Sequence, residues 1–173
     1  MSTDPVVIVA ARRTPIGAFQ GALSDVSATE LGATAVAAAV ADSGVEPADF
    51  GRVLMGCVLP AGLGQAPARQ AALGGGLPKG VPCATVNKMC GSGMEALVLA
   101  HDMIVAGSVG IAVAGGLESM TNAPYLMPKA RKGYRMGHQE VLDHMFYDGL
   151  QDTYEGHMMG HYAEATSQKY GFS

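Results

Sequence analysis

Short runs of apolar residues alternate with longer segments of helical character along the first two thirds of the chain. The runs are rich in β-branched and small apolar residues, a composition that favours strands. They contain few polar positions, which is typical of strands buried on both faces of a sheet. They predict four strands, at residues 6–11, 52–59, 81–86 and 110–115.

Three helices are predicted between these strands. The first begins at a capping box, with Ser27 as N-cap and Glu30 three residues later, and ends before Gly44, which favours a left-handed C-cap. The others are expected at residues 66–73 and 94–106. Strands that alternate with helices indicate an α/β fold with a parallel sheet covered on both faces. Ligands of such sheets bind at the carboxyl ends of the strands.

The alternation of strand and helix ends after about Met120. All six tyrosines and four of the five histidines lie beyond this residue. We therefore expect two parts, an α/β domain at residues 1–119 and a loop-rich part of a second domain at residues 120–173. Short helices are expected in the second part, at residues 140–146 and from residue 159 or 161 to residue 170.

The composition excludes several classes of protein. The 173 residues carry a formal net charge of −4, which argues against nucleic acid as a partner. No apolar run approaches the roughly 20 residues of a membrane-spanning helix, and no secretion signal is recognisable at the N-terminus. Three cysteines, an odd number, without such a signal favour reduced thiols in a cytoplasmic protein. No Cys/His cluster has the spacing of a zinc site, so no metal is expected.

One cysteine stands in the turn between the third predicted strand and the helix that follows it. This turn, residues 87–93, places Cys90 where unpaired amide N–H groups and the positive end of a helix dipole converge. Such a field favours thiolate over thiol, and the two glycines of the turn leave room for a substrate carbonyl. Cys90 is therefore a candidate nucleophile with amide donors aimed at an oxyanion, and Asn87 is expected to fix the turn. The alternative, a structural cysteine that packs like a small apolar residue, is favoured for Cys57 and Cys83.

The sequence around Cys90 resembles the acyl-enzyme cysteine signature of the thiolase family. Five further stretches resemble that family as well, so the resemblance extends from one end of the chain to the other. The six stretches read VNKMCGSGM at 86–94, VAARRTPIG at 9–17, GQAPARQAA at 64–72, GGLESMTNAPY at 115–125, DGL at 148–150 and MGHYAE at 159–164.

This resemblance implies both a fold and a chemistry. The fold would be a thiolase-type N-terminal βαβαβαβ half-domain with a mixed, mostly parallel sheet, followed by part of a loop domain. The chemistry would be acyl transfer through an acyl-thioester at Cys90, whose backbone N–H would belong to the oxyanion hole. The reaction would be the condensation of two acetyl-CoA to acetoacetyl-CoA or its thiolytic reverse, with direction and acyl-chain length left open. Acyl-CoA would be the substrate without a further cofactor, and a homodimer or homotetramer would be expected.

Other residues acquire roles from the same resemblance. His157, Met158 and Met159 are expected to line the substrate site, although Met158 stands where many biosynthetic members have a histidine. Independently of the resemblance, Arg69 and Glu118 are single charges in otherwise apolar surroundings and are therefore expected to form structural ion pairs or dimer contacts rather than to act as catalysts. A basic cluster suggests contact with the phosphates of coenzyme A, a solvated hairpin or an oligomerisation loop; it comprises Lys129, Arg131, Lys132 and Arg135.

The family also uses residues of its C-terminal half, namely a histidine that activates the cysteine, a second cysteine that handles the α-proton and a glycine of the oxyanion hole. None of these is matched within the 173 residues. The chain by itself is therefore expected to be inactive or nearly so. Two alternatives stay open: a ketoacyl-synthase-like condensing enzyme, which would carry other residues around its cysteine, and a non-catalytic truncated fragment.

Overall fold

The computed structural model describes residues 6–172, which divide into two compact units, one ending at Asn122 and the other beginning at Ala123. The sequence suggested a boundary after residue 119. None of the helices in the described part of the chain has the length and apolar character needed to cross a bilayer. The α-helices are α1 (Ala28–Ser43), α2 (Pro67–Gly74), α3 (Ser92–Val105) and α4 (Met159–Tyr170), and the strands are β1 (Arg52–Gly56), β2 (Cys83–Val86), β3 (Ala112–Gly116), β4 (Tyr125–Leu126) and β5 (Leu142–Asp143).

The first unit is built on a parallel sheet of three strands in the order β2-β1-β3. The α/β fold expected from the sequence is confirmed. The three strands match predicted ones but are shorter, and β3 ends one residue later than predicted. In the register of the sheet, Gly56 is paired with Val86 on one side and with Gly116 on the other. The carboxyl ends of all three strands therefore meet at one edge of the sheet.

Helices cover both faces of this sheet because consecutive side chains of a strand point to opposite faces. Val53 and Met55 belong to a core that includes Val36 of α1 and Ala71 of α2. Leu54, between them, packs instead with alanines of α3. The central strand is thus buried on both sides, as its continuous apolar sequence predicts.

The first helix begins and ends as its sequence predicts. Ser27 is the N-cap, and its hydroxyl oxygen accepts the N–H of Glu30 at 3.2 Å while the Glu30 carboxylate accepts the N–H of Ser27 at 2.9 Å. The Ser27 hydroxyl, which donates to the Glu30 carboxylate at 2.6 Å, and secondarily the Ser27 N–H lower the pKa of Glu30. Gly44 is the left-handed C-cap, with φ of 68°.

The prediction of a strand at residues 6–11 is wrong. These residues form no strand, and the side chains of Val7, Ile8 and Val9 are 74%, 78% and 62% exposed. An apolar run becomes a strand only where a neighbouring backbone supplies a ladder of hydrogen bonds. The parallel sheet of the described residues consists of β1, β2 and β3 alone, and this segment has no place in it.

The second unit combines a small antiparallel pair with three helical segments in its described residues, a 3-10 helix (Ala130–Lys132), a π-helix and α4. Tyr125 and Leu126 of β4 pair with Asp143 and Leu142 of β5. A π-helix, Met145–Leu150, follows β5 directly. The helix predicted at residues 140–146 is therefore wrong, because pairing with β4 fixes residues 142 and 143 in an extended conformation. The helix predicted to end at residue 170 is confirmed as α4.

Candidate active site

A strained turn presents Cys90 between β2 and α3. Met89, the residue before it, has a positive φ of 48°, a conformation that costs a non-glycine residue about 1–3 kcal/mol. The side-chain oxygen of Asn87 accepts the N–H of Met89 at 2.9 Å, which confirms the role expected for Asn87. Cys90 is exposed at the far side of this turn.

The hydroxyl of a buried serine bonds to the backbone of the turn. Ser92, the first residue of α3, is only 4% exposed. Its hydroxyl donates to the carbonyl of Met89 at 2.5 Å and accepts the N–H of Lys88 at 2.8 Å. Sequence analysis missed this residue. A signal was present, since serine hydroxyls commonly satisfy the backbone of turns at helix starts.

Close contacts between backbones place the start of α3 on the edge of the sheet. A Cβ atom on Gly56 would lie 2.4 Å from the carbonyl carbon of Ser92, and one on Gly116 would lie 3.5 Å from the Cα of Gly93. Only glycine at the end of β1 permits the helix to approach this far. A Cβ atom on Gly93 would meet its nearest neighbours at 3.8 Å, an ordinary contact, so the close approach depends on Gly56. Room for a substrate carbonyl beside the glycines of the turn stays a prediction.

A shallow depression of about 330 Å³ opens at this edge of the sheet. Cys90 lies on its border with residues that follow each of the other two strands, Val58 after β1 and Glu118 after β3. These residues lie at the carboxyl ends of the strands, the edge at which ligands of parallel sheets bind. A larger depression of about 530 Å³, lined by residues 12–19 and 116–121 among others, contains no cysteine or histidine.

Several backbone N–H groups at Cys90 and in the first residues of α3 are candidate donors to a ligand. The N-cap of α3 is Gly91, which has no side chain that could cap the helix. The N–H groups of Cys90, Gly93 and Met94 donate none of the hydrogen bonds formed within the described part of the chain. The first turn of a helix leaves such donors unpaired, and together with the helix dipole they favour negative charge. An anionic oxygen of a bound substrate at this position would be stabilised.

The other two cysteines have structural surroundings, as the sequence favoured. Cys57 is 1% exposed, and burial together with the neighbouring Glu118 raises the pKa of its thiol to about 12. Cys83 is half-buried in β2, and burial raises the pKa of its thiol as well. All three cysteines are free thiols.

Within the described residues, Glu118 and Arg69 form none of the expected ion pairs with other side chains, and dimer contacts stay a prediction. The carboxylate of Glu118 accepts the N–H groups of Val58 at 2.8 Å and Leu59 at 2.9 Å. The guanidinium of Arg69 donates to backbone carbonyls of Lys79, at 2.8 Å, and Val81, at 3.4 Å. Both charged groups thus bind loop backbone: the carboxylate accepts from N–H groups, and the guanidinium donates to carbonyl oxygens.

The remaining candidate residues lie in the second unit. His157 is exposed and stacks on His161, with ring centroids 4.3 Å apart. Met158 is the half-buried N-cap of α4, and Met159 begins that helix with 42% of its side chain exposed. The four residues of the basic cluster form no ion pair within the described residues. Roles of these residues toward a substrate stay predictions.

A family model, described as the N-terminal domain of thiolase, matches residues 6–173. The chain belongs to the thiolase family. The resemblance seen in the six sequence stretches is thereby confirmed, and the thiolase match includes residues of both compact units.

Curated relatives of this thiolase-family chain are proteins of Staphylococcus aureus named "Probable acetyl-CoA acyltransferase". Those of strains COL, MRSA252 and NCTC 8325 / PS 47 are each 48% identical to it over 168 residues. The alignments cover 97% of this chain but 43% of each relative. The chain thus spans less than half the length of the curated relatives it matches.

Proposed function

We propose that this chain supplies the nucleophilic cysteine of an acyltransferase that acts on coenzyme A thioesters. The thiolate of Cys90 attacks the thioester carbonyl, a new carbon–sulfur bond forms, and the bond to the sulfur of coenzyme A breaks. Coenzyme A leaves as a thiolate and takes up the proton that Cys90 lost. The exchange of one thioester for another is nearly balanced in energy, because thiolates are both good nucleophiles and good leaving groups.

The position of Cys90 carries this proposal. The thiol is exposed at the carboxyl edge of a parallel sheet, where ligands of such sheets bind. Its own N–H and those of the first turn of α3 are available for the oxyanion that forms when the carbonyl is attacked. Removing one such donor from an enzyme typically costs about 10²–10³ in rate.

Carbon–carbon bond formation requires a base at the α-carbon of a second acyl-CoA. Neither an imidazole nor a second thiol is among the described residues that border the depression with Cys90. We therefore assign acyl transfer to Cys90 to this chain. Condensation of two acetyl-CoA, or the thiolytic reverse, would be the reaction of a protein of the length of the curated relatives.

Acylation is tested by incubating the purified chain with acetyl-CoA and locating the acetyl group by peptide mass spectrometry. One acetyl group on Cys90 is expected, together with release of one equivalent of coenzyme A. Cys90→Ser should abolish stable thioester formation, whereas Cys83→Ser should retain it. Absence of acetylation in the folded, unmodified chain would refute the proposal and favour a non-catalytic fragment.

A second assay separates acyl transfer from the complete reaction. The chain is expected to show no sustained thiolysis of acetoacetyl-CoA, because neither an imidazole nor a second thiol is among the described residues that border the depression with Cys90. Turnover at ordinary enzyme rates would contradict this expectation. Decarboxylation of malonyl-CoA would instead favour the ketoacyl-synthase-like alternative.

The wider expectations of the sequence belong to the same proposal. Contact of His157, Met158 and Met159 with substrate, an assembly of two or four subunits, and a cytoplasmic location with no cofactor beyond coenzyme A thioesters accompany the assignment. The substrate contacts and the assembly depend on the family resemblance, the cytoplasmic location depends on cysteine usage, and none of them depends on the geometry around Cys90.

A further inference from the structure

The backbone beyond β1 needs hydrogen-bond partners that the sheet does not provide. At the end of the strand, the carbonyl of Gly56 accepts the N–H of Leu117, and the N–H of Cys57 donates to the carbonyl of Val86, both at 2.9 Å. The ladder of the sheet then ends. Because buried and half-buried N–H groups are nearly always paired, the next two amides require another acceptor.

The carboxylate of Glu118 is that acceptor. One oxygen accepts the N–H of Val58 at 2.8 Å, and the other accepts the N–H of Leu59 at 2.9 Å. The Sγ of Cys57 lies 3.5 Å from the second oxygen. Since the raised pKa keeps Cys57 protonated at neutral pH, its S–H acts as a third donor. One side chain from the end of β3 thus extends the hydrogen bonding of the sheet past the end of β1.

The segment held in this way forms part of the border around Cys90. Val58 and Glu118 both border the depression that Cys90 borders. The geometry points to Glu118 as a positioning residue of acyl transfer, which holds Val58 at the place where the acyl group of the thioester lies against it. This inference rests on the proposed function of Cys90.

The arrangement requires a carboxylate rather than any polar side chain. An ionised carboxylate accepts hydrogen bonds at both oxygens, and bonds of this kind are stronger than neutral ones. A glutamine of the same size would present an NH₂ group to one of the two amides, so that donor faces donor. The segment 57–59 would lose one of its anchors while the side-chain volume stayed nearly unchanged.

The effect of Glu118 on position has to be separated from the effect of its charge. Glu95 offers a matched control, because it lies in the first turn of α3 and its side chain makes no hydrogen bond within the described residues. Glu95→Gln removes one negative charge at the N-terminal end of α3, the end at which Cys90 lies. It leaves the segment 57–59 and its anchors intact.

Two reactions of Cys90 are compared in the full chain, in Glu118→Gln and in Glu95→Gln. Iodoacetamide reports thiol reactivity alone, whereas acetyl-CoA requires the thioester to be placed against the thiol. Acetyl transfer is expected to fall by about 10–100-fold in Glu118→Gln, since misplacement of about 1 Å costs rates of that order. Alkylation of the same variant should stay within about twofold of the unmodified chain, and Glu95→Gln should retain acetyl transfer.

Equal acetyl transfer by Glu118→Gln and the unmodified chain would overturn the inference. A parallel loss of alkylation and acetyl transfer would overturn it as well, because it would indicate an altered thiol rather than a misplaced acyl group. If the unmodified chain is not acetylated at all, the proposed function fails first. The two failures are therefore distinguishable.

Val58→Ala provides a second test if Glu118→Gln does not fold. Removing the two methyl groups should admit longer acyl groups, so the rate of butyryl transfer relative to acetyl transfer should rise about tenfold, the usual effect of a methylene-sized change in a pocket. An unchanged ratio in folded Val58→Ala would overturn the placement of the acyl group against this residue.

Discussion

Gly56, the last residue of the central strand, lies directly against Ser92, the first residue of α3. A Cβ atom at position 56 would stand 2.4 Å from the Ser92 carbonyl carbon and 2.6 Å from the amide nitrogen of Gly93. These are backbone atoms, so they cannot yield by a rotation of a side chain. The absence of one methyl group therefore sets how closely the helix start, and with it Cys90, approaches the edge of the sheet.

Gly56→Ala should displace the start of α3 and destabilise the fold. Overpacking of this kind costs about 1–3 kcal/mol, to be measured as the free energy of unfolding in urea. Gly110→Ala is the control, since no atom lies within 4 Å of its Cβ position. Equal stability of the two variants would contradict the close packing of strand and helix.

The three cysteines should react with iodoacetamide in a fixed order in the folded chain. Cys90 is exposed and should react first, whereas Cys57 is buried and its pKa is raised to about 12, so it should react last. Cys83, half-buried and with a raised pKa, should lie between them. Peptide mass spectrometry at successive times measures the order, and unfolding in urea should make the three rates similar. Early labelling of Cys57 would show that its surroundings are more open than described.

Ser27→Ala should weaken the start of α1. The substitution removes the acceptor of the Glu30 N–H and one partner of the Glu30 carboxylate, and losing such a cap costs about 1 kcal/mol. The free energy of unfolding in urea measures the loss. Ser108→Ala, at an exposed serine whose side chain makes no hydrogen bond within the described residues, should change stability by much less. Equal effects of both substitutions would argue against the capping box.

Stability should decline in alkaline solution because of Cys57. Burial, and secondarily Glu118, raises the pKa of this thiol from its ordinary value of 9.0 to about 12. Because the folded pKa lies above the unfolded one, the stabilising contribution is fully present below pH about 9 and is lost as the pH rises toward 12. Urea unfolding across this range measures the decline. Cys57→Ala should show a shallower dependence on pH, and an unchanged slope would exclude this thiol as the cause.

Local sequence signals predicted those elements whose determinants lie within a few residues. The box of Ser27 and Glu30 and the left-handed Gly44 define α1 because a helix end is satisfied by its own neighbours. The turn containing Cys90 was likewise predictable, since strand, turn and helix follow one another along the chain. Asn87 could be assigned its role for the same reason, as its acceptor is two residues from the N–H that it binds.

Elements that depend on a distant partner were not predictable in this way. Val7, Ile8 and Val9 have the composition of a buried strand, yet they are exposed because no backbone among the described residues pairs with them. Residues 142 and 143 appeared helical, but pairing with β4 made them a strand. Secondary structure followed the available hydrogen-bond partners in both cases.

The sequence by itself determined the α/β alternation, the helix ends of α1 and the position of the candidate nucleophile between β2 and α3, because each depends on side chains that act on adjacent backbone. Only the tertiary structure brought Val58, Glu118 and Cys90 to one depression. These residues follow three different strands, and they meet because parallel pairing in register aligns Gly56 with Val86 and Gly116. The acceptor role of Glu118 could emerge only from that alignment, since the amides it binds lie 59 and 60 residues away along the chain.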